Sequence, residues 1–319
     1  MPRHVHSRIR LFQILLTFIG SGLSISAQPS VTLSYLGTAG WEITDGKTVI
    51  LIDPYISRLK TVTPNNLVLD DDPRPLFTST DFAKSDTAEI DRRVRQADFI
   101  LITHTHFDHA LDMPYIAQKT GATVIGTEST ATFARANGVQ NQQLIVVRGG
   151  EDYQFNTFSL KVIPSLHGVL RRAPNISAAT GPRPTAFPVE AKPPFRLGDL
   201  LIEGGTLAYL VRIGGRQILA FGSMNFIERE VDGLRPDVAL IGAMPERREI
   251  YAYTPRLLKL LGYPRMVLPT HWDRFNVTYE VSQEPAIKRL ESFIAEVKSI
   301  SPKTKVIVPS YFHPIPIEK

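Results

Sequence analysis

Apolar residues fall along this chain in short runs, divided by turn residues and by stretches with helical spacing. Val31–Leu36 alternates as a half-buried strand does, and Trp41–Thr44 and Thr48–Ile52 follow, joined by Asp45-Gly46, a hairpin signal. Phe99–Ile102, Ala122–Gly126, Leu144–Val147, Phe158–Ile163, Val238–Gly242, Met266–His271 and Lys305–Val308 read as further strands. Helical spacing covers 90–96, 110–119 with a break at Pro114, 128–136 up to the stop at Asn137-Gly138, 255–261 and 284–298. Strands alternating with helices give an α/β fold. Leu207-Ala-Tyr-Leu210 also echoes Leu33-Ser-Tyr-Leu36, a faint internal repeat. Two long stretches lack any period. Residues 55–89 carry the acidic run Asp70–Asp72, read as solvated surface, and 168–199 are rich in proline.

The strand at Phe99 ends in His104-Thr-His-Phe-Asp-His109. Extended backbone turns His104 and His106 to the same side, so both imidazoles can face one point. Asp108 stands where a helix N-cap is expected, and a cap with incidental histidines is the plain alternative. The histidine inventory speaks against that alternative. Of eight histidines, His4 and His6 lie near the N-terminus, three are in this cluster, and His167 and His271 each follow a strand. His313 is left over in a proline-rich tail and reads as a non-ligand. Imidazole and carboxylate suit zinc, and also manganese or iron.

Residues 1–27 read as a secretory signal peptide. Arg3, Arg8 and Arg10 precede the apolar run Leu11–Ile19, and small residues lead to a cut after Ala27. A retained, uncleaved anchor is the alternative, but the run is short for a spanning helix, so a secreted or periplasmic product without stable membrane insertion is expected. Removing those three arginines lowers the formal charge from +5 to about +2, which leaves no case for nucleic-acid binding. The chain has no cysteine, so thiolate ligands and nucleophiles are excluded. Residues 28–319 suit a single domain.

His104-x-His106-x-Asp108-His109 resembles the signature of the metallo-β-lactamase-fold hydrolases, and the surrounding wording is similar to the ascorbate-6-phosphate-lactonase-like branch. The resemblance runs from about Val31 onward. It implies an αββα sandwich of two mixed sheets flanked by helices. It implies one metal on His104, His106 and His167 and a second on Asp108, His109 and His271. A hydroxide held by the metal, oriented by Asp108, would attack a carbonyl or phosphorus. Ile52-Asp53-Pro54 matches the family's first short motif, whose aspartate supports the site without binding metal; a turn aspartate is the alternative. Asp273 is expected to orient His271 or another imidazole, or else to be an exposed loop acid.

The chain departs from the family pattern at Gly222-Ser223, where Gly-Asp is common and the aspartate bridges two metals. One metal or two therefore stays open. The stretch 168–199 leaves from His167 and reads as a lid, with Arg171 and Arg172 either meeting an anionic substrate or solvated. The resemblance implies a small-molecule substrate, a lactone, ester or phosphoester. A periplasmic β-lactamase and a non-catalytic ligand-binding relative are the rivals.

Overall fold

The computed structural model describes residues 1, 30–62, 71–169 and 186–318. The expected leader (apart from Met1), Arg171 and Arg172 lie outside them. One seven-stranded sheet contains β1 (Val31–Gly37), β2 (Gly40–Thr44), β3 (Val49–Ile52), β4 (Phe99–Leu101), β5 (Thr123–Gly126) and β6 (Leu144–Val146). The second contains β7 (Asp152–Gln154), β8 (Phe158–Pro164), β9 (Leu207–Ile213), β10 (Arg216–Phe221), β11 (Val238–Gly242), β12 (Met266–Thr270) and β13 (Lys305–Val306). A last strand, β14 (Ile315–Ile317), returns to the outer edge of β1. Helices α1 (Thr87–Arg93), α2 (Phe107–Ala110), α3 (Met113–Thr120), α4 (Glu128–Ala136), α5 (Glu228–Val231), α6 (Tyr253–Leu260) and α7 (Glu284–Ile300) complete the α/β sandwich.

The period of two explains why the central strands read as unbroken apolar runs. Ile50, Ile52 and Leu101 face the inter-sheet core with Leu160, Val162, Tyr209 and Val211. Their neighbours Leu51, Ile100 and Ile102 face the other way, onto Ile116, Ala117, Phe133 and Ala134 of the helical layer. Both faces are covered, so both sets must be apolar.

The two sheets share one plan. The order β14-β1-β2-β3-β4-β5-β6 has three antiparallel pairings followed by three parallel ones, and so has β7-β8-β9-β10-β11-β12-β13. The duplication is thus one of topology. It makes β8 the counterpart of β1 and β9 the counterpart of β2. The echo of Leu33–Leu36 in Leu207–Leu210 therefore joins strands that are not equivalent.

Local signals were displaced in several places. The first helix spans Thr87–Arg93 rather than 90–96, because Asp86 accepts from the Glu89 amide and caps it earlier. Asp108 is not an N-cap: α2 begins at Phe107 after His106, which puts Asp108 inside the first turn. Pro114 sits in the first turn of α3, where its missing N–H costs nothing, so the expected break divides two helices. The proline-rich tail supplies β14, which tolerates Pro316 because it is an edge strand. The described end of the 168–199 stretch is anchored: Phe187 and Phe195 are buried against Phe133, and a 3₁₀ turn covers Leu197–Leu201. Asp72 is not simply solvated, since it pairs with Arg74 at 2.7 Å.

Candidate metal centre

Three strand ends and one short helix bring the six expected residues together. β4 delivers His104 and His106, α2 carries Asp108 and His109, β8 leads to His167, and β12 to His271. They form two groups, His104/His106/His167 and Asp108/His109/His271, with potential donor atoms in each group within 4.8 Å of one another. The imidazole rings of His104 and His109 lie 3.9 Å apart and those of His104 and His167 4.8 Å.

Neighbouring groups fix which nitrogen of each ring is left free. His109 Nδ1 lies 2.8 Å from Asp53 Oδ2; a carboxylate only accepts, so Nδ1 carries the proton and Nε2 keeps its lone pair. His167 Nδ1 likewise donates to the Gly168 carbonyl at 2.9 Å. Thr103 Oγ1 donates to Asp53 at 2.6 Å, which leaves that oxygen to accept from His104 Nδ1 at 3.1 Å. Among the described residues, Nε2 of His104 and Nε2 of His106 are buried with no hydrogen-bond partner. Buried polar atoms are almost always paired, so orphaned imidazole lone pairs packed against an aspartate fit a cation.

Electrostatics agree. Burial pushes the His104 imidazole far below its ordinary pKa, and His109, His106 and His167 add to the shift. His106 is pushed down to about 3, again by burial first and then by His167. His167 is lowered by burial too. These rings are neutral, as ligands must be. Burial would raise Asp108, but His109 and His271 outweigh it and hold the carboxyl well below its usual range. Burial would lower His109, yet Asp108 and Asp53 win and raise it. Surroundings that stabilise a proton there would also stabilise a metal ion.

Asp53 is a fully buried support. Besides His109 it accepts from the Thr103 amide and hydroxyl at 2.7 and 2.6 Å, and its own backbone has φ 42°. Nothing larger than glycine fits beside it: a Cβ on Gly222 would stand 1.9 Å from Thr103 Oγ1 and 2.7 Å from Asp53 Oδ2. Ser223 faces the other ligand strand. Its hydroxyl accepts from the Gly168 amide at 2.9 Å, and Asn225 donates to the His167 carbonyl at 3.1 Å. The position where the family often has a bridging aspartate therefore tethers the His167 segment in this chain.

Asp273 corrects its expectation. It is buried rather than loop-exposed, and among the described residues it accepts from Arg58, Tyr35, Tyr311 and the Thr38 amide, with no imidazole among its partners. His313 is exposed and bonds the Tyr311 carbonyl, away from both groups. Sequence reasoning also missed Thr103 and Glu203. Glu203 accepts from Thr206 Oγ1 at 2.6 Å, and its charge favours the protonated form of His167. Thr103 had one signal, a hydroxyl at the strand end just before the first histidine; Glu203 had none.

The profile described as "Beta-lactamase superfamily domain" matches residues 32–271 and so spans both groups. A UPF0173 metal-dependent hydrolase of Thermus thermophilus is 26% identical over 247 residues, covering 77% of this chain and 85% of its own. One from Heliobacterium modesticaldum is 24% identical over 260 residues, covering 77% and 84%. Among solved structures, Igni18, a metallo hydrolase from Ignicoccus hospitalis, aligns over 91% of this chain and 99% of its own with a TM-score of 0.56. At 18% identity that likeness is one of fold.

Proposed function

This chain belongs to the β-lactamase superfamily as a metal-dependent hydrolase of the metallo-β-lactamase fold, and we propose that it is an exported zinc enzyme acting on a lactone, ester or phosphoester. In this reading, residues 28–319 form one domain and 168–199 its lid. The observation that carries the metal reading is the pair of buried, partnerless Nε2 atoms on His104 and His106, set within reach of His167 and beside Asp108.

His104, His106 and His167 would hold one ion, and Asp108, His109 and His271 a second. A bound divalent ion supplies Lewis-acid polarisation and lowers the pKa of a water that it holds. The remaining work falls to the chain. Asp108 stays ionised, so it can accept a proton from an attacking water and orient it. Asp53 keeps His109 in one tautomer. Ser223 and Asn225 fix the backbone that presents His167. Leu166 and Val169, on either side of His167, are 45% and 43% exposed and would meet an apolar part of the substrate. Arg171 and Arg172 would meet an anionic part. The basic and apolar leader supports export, for which the check is a mature mass that begins at Gln28.

Elemental analysis of the protein from Gln28, beside Ser223→Asp, tests the metal reading. About two zinc ions per chain are expected, with hydrolysis lost to chelator and restored by zinc. About one ion, rising to two in Ser223→Asp, would reduce the site to a single metal. No metal in a folded protein would remove the reading.

A further inference from the structure

His271 differs from three of the other ring donors, His104, His109 and His167, in how it is aimed. His104, His109 and His167 each have a ring nitrogen held by Thr103, Asp53 or Gly168. Among the described residues, His271 Nδ1 is buried without a partner and its Nε2 meets only the candidate ligand Asp108, at 3.3 Å. Its direction comes from the main chain, which has φ 50° at this residue. That conformation is costly for a residue with a Cβ and persists only where the surroundings impose it.

The imposing contacts form a short circuit. The His271 amide donates to the Thr38 carbonyl at 2.5 Å, and Thr38 itself has φ 54°. On its other side the Thr38 amide donates to Asp273 Oδ1 at 2.9 Å. Asp273 stands two residues beyond His271, so its side chain grips the peptide that grips His271. The Tyr35 hydroxyl lies 2.8 Å from the Thr38 carbonyl and 3.0 Å from Asp273 Oδ1, spanning both ends of the circuit. Asp273 Oδ2 accepts from Arg58 Nη1 at 2.8 Å and from the Tyr311 hydroxyl at 2.7 Å. Arg58 is anchored in turn on the carbonyls of Val277 and Arg274. Gly37 leaves the necessary room, since a Cβ there would stand 2.4 Å from Arg58 Nη1.

We propose that Asp273, clamped by Arg58 and Tyr311, is a positioning residue that locks the strained backbone of His271 through Thr38 and thereby governs occupancy of the second metal position. The metal consequence rests on the ligand reading above; the backbone lock does not.

The test is amide hydrogen exchange at His271, followed by NMR in the full chain, with zinc content measured alongside. The Thr105 amide, which donates to the Glu203 carbonyl, is the internal control. In Asp273→Asn the His271 amide should exchange faster by about tenfold or more while Thr105 keeps its rate. Zinc should fall by about one ion per chain. Tyr311→Phe removes a single hydrogen bond to Asp273, should move both readouts the same way by less, and carries the test if Asp273→Asn does not fold. Unchanged exchange at His271, or exchange that rises equally at Thr105, overturns the inference. Selectively faster exchange at His271 in a chain that takes up no zinc upholds the lock and overturns the ligand reading instead.

Discussion

His106→Ala is expected to lose hydrolytic activity by about a thousandfold or more, together with at least one bound ion, while remaining folded. His106 is more exposed than His104 and lies at the junction of β4 and α2, so truncation opens a small gap rather than a cavity in the sheet core. Asp53→Asn should behave differently. An amide in place of the carboxylate removes the charge that fixes the His109 tautomer, and losses of this kind cost about 10- to 100-fold in metal affinity or activity. Steady-state rates on the best ester, lactone or phosphoester substrate, with metal content on the same samples, separate the two. Full activity and full metal in His106→Ala would contradict its assignment as a ligand.

Arg58→Met should destabilise the protein by about 3–5 kcal/mol, the range for removing one partner of a buried ion pair. Both side chains are almost wholly inaccessible and their charged atoms are 2.8 Å apart, so the variant leaves the Asp273 carboxylate buried and uncompensated. Urea unfolding midpoints measure the loss, and a midpoint within error of the parent would show that the pair contributes nothing net. The same variant should change the acid limb of stability. Burial raises Asp273, but Arg58 and the hydrogen bonds from Tyr311 and Thr38 outweigh it and hold the carboxyl below its ordinary value. A depressed folded pKa contributes stability that is present above the unfolded value of about 3.9 and is lost as pH falls through the folded one. Without Arg58 the strongest influence opposing burial is gone, so the carboxyl takes up its proton at a higher pH than in the parent. Arg58→Met should then be least impaired in acid, and its deficit relative to the parent should grow as pH rises through the carboxylate range.

The sequence by itself determined the parts that rest on local chemistry. The period of two and the apolar runs located most of the strands, since a strand covered on both faces has to be apolar throughout. The hexad His104–His109 declared a cluster, since extended backbone followed by a turn brings those side chains close together wherever the strand lies. His167 and His271 were legible as strand-end histidines, although only the packing of the two sheets brings them to the same place.

Tertiary structure decided most of the groups that aim these ligands; of them Asp53 was marked in the sequence, by its motif. Asp53, Thr103 and Gly222 meet because β10 is the counterpart of β3 in the duplicated plan, so their strand ends arrive together. Arg58 lay in a stretch without period and looked like any loop arginine; it is buried because the segment after β3 crosses the loop after β12. Proximity in sequence suggests an imidazole as the partner of Asp273, with an exposed loop acid as the alternative. In the fold, the left-handed turn at His271 directs the Asp273 side chain to Thr38 and Arg58 instead. A ligand set depends on which side chains occur at strand ends, and that is written in order along the chain. Several of the hydrogen bonds that orient it join residues far apart in the chain, 56 positions for Asp53 and His109 and 215 for Arg58 and Asp273, and only the closed sandwich brings those into contact.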